Sequence, residues 1–408
     1  MSDATRDMNA AGGAVDERTQ AESPTQTESA VSHAVAPTDP TKETRLWFGP
    51  QHPGVTGNMS VETWIQGDTI QRGITHVGYL HRGFEKLMER RTFIQSFPIV
   101  CRICVPEPDT NEYLLATGLE ELSGLADRVP ERAVWLRTLT LEMARLAATL
   151  MVLGGQVGSM GLGPVPQWTM TLRDFILDSF EELSGARIYH MYIIYGGVRR
   201  EPPEGFATRL EGNLRAIEER LPWIDRLMFD SAVFRKRAIG VGLVPRAWAD
   251  EMAITGPPLR AMGIARDVRK DNPYAMYGEL DFDVVTEEDS DIYARSMIRR
   301  REIEQSISII RQILRAMPDG GPFCAQLPNL MNWRIPRGQT YVKAEASRGE
   351  MGYYVVTDGS DKLRRVNVRG PSYVHGVSLL ERLLPGTNIA DLAALMVSLQ
   401  TCPPEIER

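Results

Sequence analysis

Glu131-Arg132-Ala133-Val134-Trp135-Leu136-Arg137-Thr138-Leu139-Thr140-Leu141-Glu142-Met143-Ala144-Arg145-Leu146-Ala147-Ala148-Thr149-Leu150-Met151-Val152-Leu153 places Leu136, Leu139, Met143, Leu146 and Leu150 at helical spacing. Apolar residues that return every three or four positions share one helix face, so this stretch predicts a long helix packed on a core. Glu142 and Arg145, three apart, are expected to pair on its wet side. Leu153-Gly154-Gly155 reads as its end, because glycine takes the left-handed conformation that closes helices.

Outward from this helix the pattern stays helical over 110–229, with Leu114, Leu115, Leu119 and Leu122 on one face and further helices at 172–191 and 206–229. One more helix is expected over 82–97. A long helix is expected from 292 to 317, with Ile303, Ile307, Ile310 and Leu314 inward. Its Arg299-Arg300-Arg301 run reads as a solvated face or a docking site for an acidic partner. Short β-type runs appear at both flanks. One is Met59-Ser60-Val61-Glu62-Thr63-Trp64-Ile65; the others are 341–345, 352–356 and 362–368, followed by helices at 373–384 and 388–399. The expected class is α+β, a central helical bundle with small antiparallel β elements at the N- and C-terminal flanks. Five segments follow from this reading. They are a disordered tail at 1–44, a β-rich element at 45–81, the bundle at 82–234, a mixed lobe at 235–285, and a helix, β element and closing helices at 286–408.

The net charge of −7 argues against a nucleic-acid partner. Four cysteines are too few for a disulfide scaffold, and no leader segment is evident, which suits a reducing cytoplasm. No run of about 18 apolar residues exists, so any attachment to a membrane is expected through a partner. The chain has neither a P-loop nor a GxGxxG opening a helix after a strand, and is not expected to bind NADH itself.

Two distant motifs read as a pair: Arg102-Ile103-Cys104-Val105-Pro106-Glu107 and Thr401-Cys402-Pro403-Pro404-Glu405. Each holds Cys-x-x-Glu. Folding that joined Cys104, Glu107, Cys402 and Glu405 would create one site of two soft thiolates and two hard carboxylates, suited to a metal or to proton-coupled electron transfer. The alternative is two core cysteines and two surface carboxylates. Cys101 and Cys104 form a Cys-x-x-Cys, but no second such pair exists to complete a zinc ribbon or an iron–sulfur cluster.

Several stretches together resemble a known family. They are Phe48-Gly49-Pro50-Gln51-His52-Pro53, His76-Val77-Gly78-Tyr79-Leu80-His81-Arg82-Gly83-Phe84-Glu85-Lys86, Ser184-Gly185-Ala186-Arg187 and Tyr195-Gly196-Gly197-Val198. Asp267-Val268-Arg269-Lys270, Pro273-Tyr274, Leu280-Asp281-Phe282-Asp283-Val284 and Val356-Thr357-Asp358-Gly359-Ser360 continue the series. In order, and over all but the tail, these resemble the D subunit of the NADH-quinone oxidoreductases, respiratory complex I, a family related to the large subunit of nickel-iron hydrogenases. The resemblance implies a peripheral-arm subunit on the cytoplasmic side of the cell membrane. It implies packing against an iron–sulfur subunit, other peripheral-arm subunits and membrane subunits, with quinone as substrate and no firmly bound cofactor.

The resemblance also marks departures. Members read GPQHPxxHG; here His52 matches, but the second His is Thr56. The expected tyrosine falls on Val105 and the expected aspartate on Ser159, so the quinone-binding positions are His52, Thr56, Val105 and Ser159. A Val donates no proton, and a hydroxyl is too weak an acid to replace His or Asp. Glu107 and His52 are then the candidate catalytic proton donors, Glu107 stiffened between Pro106 and Pro108. Hydrogenases carry two Cys-x-x-Cys pairs where this chain has Cys104…Glu107 and Cys402…Glu405. This resemblance leaves a metal at Cys104 and Cys402 open and argues against a four-thiolate nickel centre. His81 and Arg82 are expected near the iron–sulfur junction, and Arg102 beside a cluster or anion. Three functions stay open: a complex I-like quinone reductase subunit coupled to ion translocation, a hydrogenase-related energy-converting complex with another acceptor, or a scaffold without its own chemistry.

Overall fold

The computed structural model describes residues 42–52 and 57–408. Most of the tail expected at 1–44 lies outside them, and an ordered strand already begins at Thr44. Strands β1 (Thr44–Phe48), β2 (Ser60–Gln66) and β3 (Thr69–His76) form an antiparallel sheet in that order. Met59, Val61 and Ile70 point from it into the core.

Helices α1 (Phe84–Arg90) and α2 (Phe93–Val100) follow, where one helix was expected over 82–97. The break is local. Thr92 caps α2 by accepting from the Gln95 N–H, while the Gln95 side chain accepts from the Thr92 N–H. Helix α3 (Pro108–Ser123) starts on a proline, which suits the first turn, and stops at Gly124 in the left-handed region. Almost every side chain of its first three turns is buried.

Helix α4 (Glu131–Gly158) is the axis of the bundle. Leu136, Leu139, Met143, Leu146 and Leu150 are all buried. Two expectations for it fail, for one reason: the helix is enclosed on every side. Glu142 and Arg145 do pair, at 3.4 Å, but both are buried. Glu142 also accepts from Arg269, Tyr277 and Ser306. The helix also runs through Gly154 and Gly155. A Cβ on Gly154 would stand 2.2 Å from Thr169 Oγ1 of α5, so the glycine lets two helices approach rather than ending one.

Helix α5 (Pro164–Ser184) closes at Gly185, seven residues short of the expected 191. Helix α6 (Phe206–Glu218) stops before Pro222, which opens a separate short turn. Strands β4 (Ile193–Ile194) and β5 (Gly197–Val198) make a small hairpin. The region 235–285 contains short helices and loops and no named strand. Helix α7 (Ile292–Ala316) buries Ile303, Ile307 and Ile310 and half-buries Leu314. Its arginine run is no solvated face: Arg299 and Arg300 are buried, and only Arg301 is exposed. Arg300 binds Asp225, and Arg299 donates to Gln400 and to the Arg295 carbonyl.

Strands β6 (Gly338–Ala346), β7 (Gly349–Thr357) and β8 (Leu363–Arg369) form a second antiparallel sheet, packed on α1 and α3. Ala346 pairs with Gly349, leaving Ser347-Arg348 as a two-residue turn. Residues 371–383 contain a π turn at Val374–Leu379, and α8 (Leu392–Ser398) and α9 (Pro403–Ile406) follow.

Candidate functional site

Three elements converge. The loop between α2 and α3 brings Cys104 and Glu107, the start of α9 brings Cys402 and Glu405, and the β6–β7 turn drives Arg348 between them. All five side chains are buried. Arg348 Nη2 lies 2.8 Å from the Cys104 sulfur and 2.7 Å from Glu405 Oε2. Its Nη1 faces Glu107 Oε2 at 3.1 Å. The thiols of Cys104 and Cys402 hydrogen-bond each other.

Each carboxylate is fixed by further partners. Glu107 accepts from the Ser347 N–H at 2.8 Å and from its hydroxyl at 2.6 Å. Gln400 donates to that hydroxyl at 2.7 Å. Glu405 accepts from the Ser372 N–H at 2.9 Å, in a cradle that needs Gly370: a Cβ there would sit 2.5 Å from Glu405 Oε1. The Cys402 N–H donates to the Ser372 hydroxyl.

The two thiols differ electrostatically. Burial, with Cys402 beside it, pushes the Cys104 thiol well above its usual range. The hydrogen bond from Cys104 draws the Cys402 thiol below its usual range against the cost of burial, helped by Arg348. The Val105 N–H also donates to the Cys402 sulfur. Of the two, Cys402 is therefore the more readily ionised and Cys104 the one that holds its proton more tightly. Burial favours the neutral form of Arg348, but Cys104, Glu405 and Glu107 outweigh it and keep the guanidinium charged.

These residues do not fit a metal. The space between the carboxylates and the Cys104 sulfur holds a guanidinium already bound to all three. Among the described residues no group of three or more His, Cys, Asp or Glu is arranged to hold a metal ion.

A cavity of about 360 Å³ opens against this cluster. Met151, Val152, Met170 and Val397 give apolar walls, and Gly154, Gly155 and Gly158 make room along α4. Arg348, Gln400 and Thr401 supply polar groups. Arg348 Nε and Thr401 Oγ1 have no protein partner, so both remain available to a ligand.

The other candidate residues are scattered. Ser159 lines the cavity, with its hydroxyl turned to the Gln156 carbonyl at 2.7 Å. His52 is exposed and edge-on to Phe48, and does not line the cavity. Thr56 lies outside the described residues. Val105 is partly exposed and meets the site only through its backbone. His81 bonds the Glu407 carbonyl and clamps the C-terminal segment, while Arg82 lies over Phe84. Arg102 lies over Tyr189 and donates to Cys101, not to the Cys104 cluster. Burial, with Glu112 nearby, pushes the Cys101 thiol up to about 12.

Sequence reasoning missed Arg348, Ser347, Gln400 and His375. Arg348 left one clue: two buried carboxylates need a buried cation. His375 sits in the π turn with neither ring nitrogen bonded to protein. Burial and the Arg369, Arg299, Arg348 and Arg295 charges hold its pKa down at about 3.

Comparison with known proteins supplies the family. Residues 159–331 and 329–408 match the family described as respiratory-chain NADH dehydrogenase, 49 Kd subunit. The D subunit of the NADH-quinone oxidoreductase of Thermosipho melanesiensis is 43% identical over 370 residues, 90% of this chain and 100% of the relative. The D subunit of the F(420)H(2) dehydrogenase of Methanosarcina mazei is 35% identical over 88% of this chain and 96% of its own. A chain in the structure of the membrane-bound sulfane sulfur reductase, an archaeal respiratory membrane complex, superposes with a TM-score of 0.87. It is 41% identical and is matched over 99% of its length and 90% of this chain.

Proposed function

The chain belongs to the family of the 49 kDa subunit of respiratory-chain NADH dehydrogenases, and on that premise we propose that it is the subunit in which a complex I-like oxidoreductase reduces its terminal acceptor. The observation that carries this reading is the 360 Å³ cavity meeting Arg348 beside the Cys104–Cys402 pair. Electrons arrive from an iron–sulfur subunit packed alongside, since the four cysteines of this chain are not spaced to hold a cluster. No helix among the described residues is long and apolar enough to cross a membrane, so the chain reaches the cytoplasmic face through membrane subunits that move ions. NADH, if it is the donor, is oxidised on another subunit.

Quinone is the acceptor that the first-named relative implies, and the apolar walls suit a ring. The proton donor is then not Glu107, whose two oxygens are held by Ser347 and Arg348. Glu107 positions Arg348 instead.

The paired thiols favour a second reading, in which the acceptor contains a sulfur–sulfur bond. The structural relative is named for such an acceptor. The Cys402 thiolate attacks one acceptor sulfur; the acceptor S–S bond breaks, and the leaving thiolate takes a proton. Cys104, giving up its proton, attacks the mixed disulfide and releases the second acceptor sulfur as Cys104–Cys402 closes. Two electrons from the partner and one proton restore the Cys402 thiolate and the Cys104 thiol, the other proton having gone to the first leaving thiolate. The sum is one S–S bond, two electrons and two protons giving two thiols. Arg348 steadies each thiolate as it forms.

Assays of the purified complex with its partners decide between the acceptors. The sulfur reading expects reduction of an organic trisulfide that disappears in Cys402→Ser. A complex that reduces a quinone analogue at the same rate in both forms, and no trisulfide, overturns it.

A further inference from the structure

Glu345 is a buried carboxyl outside the acceptor cavity. It stands on β6, three residues before Arg348, and lines a second cavity of about 300 Å³. The two cavities share no wall residue. The second is polar, with Asp250, Asp267, Asp271 and Arg369 in its wall.

Charged groups face Glu345 from each element packed against it. Arg260 donates to its Oε1 at 2.8 Å, and the Val268 N–H to its Oε2 at 3.2 Å. Asp267 lies next to both and is bound by Arg269. Arg145 of α4 donates to the Glu345 carbonyl, and the Tyr274 hydroxyl accepts from its N–H. Lys343 shares its strand, and Glu350 is its pairing partner on β7. Burial and the Asp267 charge push the Glu345 carboxyl up to about 7, with Arg260 and Arg145 offsetting only part. The group is thus ionised above neutral pH and protonated below it.

The same carboxylate is joined inward to the thiol site. The second edge of Arg260 binds Glu302 Oε1 of α7 at 2.6 Å. Glu302 Oε2 and Arg299 Nη2, three residues apart on that helix, have no hydrogen-bond partner in the protein, and the Glu302 charge acts on Arg299. Arg299 donates to Gln400, Gln400 to Ser347, and Ser347 to Glu107.

We propose that the second cavity is a proton port for the acceptor site and that Glu345 is its proton-loading group, taking a proton from solvent as electrons reach the thiols. The proposal rests on the acceptor-site reading above. In an effective dielectric of about 20, one negative charge added at roughly 12 Å raises a carboxyl pKa by about one unit. On that scale reduction is expected to increase the protonated-to-ionised ratio of Glu345 by up to about tenfold, with the proton returned to solvent on oxidation. No heavy-atom bond changes.

Redox-difference infrared spectroscopy of the purified complex, reduced and oxidised across pH 5–9, tests this. Wild type is expected to gain a protonated-carboxyl band on reduction, and Glu345→Gln to lose it together with the limb of the pH–rate profile near 7. Glu345→Asp keeps a carboxyl, and the band is expected at a shifted frequency, which covers a Gln variant that fails to assemble. An unchanged band in either variant overturns the proposal, as does a Glu345→Gln pH profile superimposable on wild type. A wild-type complex that reduces no acceptor yet shows the Glu345 band defeats the acceptor-site reading and leaves the proton-loading assignment standing.

Discussion

Arg348 donates to the Cys104 sulfur across 2.8 Å, and through the same nitrogen to Glu405. A single guanidinium thus ties a thiol and two carboxylates from distant parts of the chain. Its planar fork is what makes this possible, because an ammonium is a point charge and spans fewer acceptors.

Removing that cation should be expensive. Arg348→Met leaves two buried carboxylates uncompensated, and a loss of about 3–5 kcal/mol is expected. Arg348→Lys keeps the charge and should lose less. Denaturant midpoints measured at constant slope check both.

The thiols should separate by reactivity. Cys402, with its pKa drawn down, is expected to react with a small thiol reagent first, and at a lower pH than an ordinary cysteine. Cys101, with its pKa pushed up to about 12, should stay unmodified at pH 8. Mass spectrometry of partly labelled protein gives the order. Labelling of Cys101 before Cys402 would contradict the assignment.

Two adjacent glycines should behave oppositely. Gly154→Ala forces a Cβ to within 2.2 Å of Thr169 Oγ1, and about 1–3 kcal/mol of overpacking is expected. A Cβ on Gly155 meets only Val397 Cγ1, at 3.4 Å. Gly155→Leu should therefore keep the melting temperature while filling the cavity. The acceptor KM is expected to rise roughly tenfold or more, the effect of losing about 1.4 kcal/mol of binding.

His375 should add a pH slope to stability. Its folded pKa of about 3 lies below the ordinary 6.5, so the unfolded chain binds the extra proton between these values. The stability contribution is complete above pH 6.5 and is lost as pH falls toward 3, at up to about 1.4 kcal/mol per pH unit. His375→Phe should flatten that component, as denaturant unfolding at pH 7 and pH 5 will show.

The bundle was legible because α4 carries its core stripe in plain helical spacing, and the two Cys-x-x-Glu motifs announced four of the five clustered residues. Arg348 was not legible, since a turn arginine in sequence looks like any solvated charge. The Gly154-Gly155 pair misled for a physical reason. Glycine ends helices by its backbone freedom but also admits close neighbours by its missing Cβ, and only packing tells which. Arg299 and Arg300 misled in the same way, because a run of like charge carries no sign of the internal acceptors that bury it.

The order of synthesis gives the β6–β7 turn and α9 one more consequence. Cys104 and Glu107 leave the ribosome first, and Arg348, Cys402 and Glu405 follow only hundreds of residues later. At about 5–20 residues per second that interval is on the order of tens of seconds. Over that interval the chain holds half a site, with one thiol lacking its hydrogen-bonding neighbour and one carboxylate lacking its cation. Competence arrives in a single late closure, so a truncated product carries the apolar bundle without the chemistry.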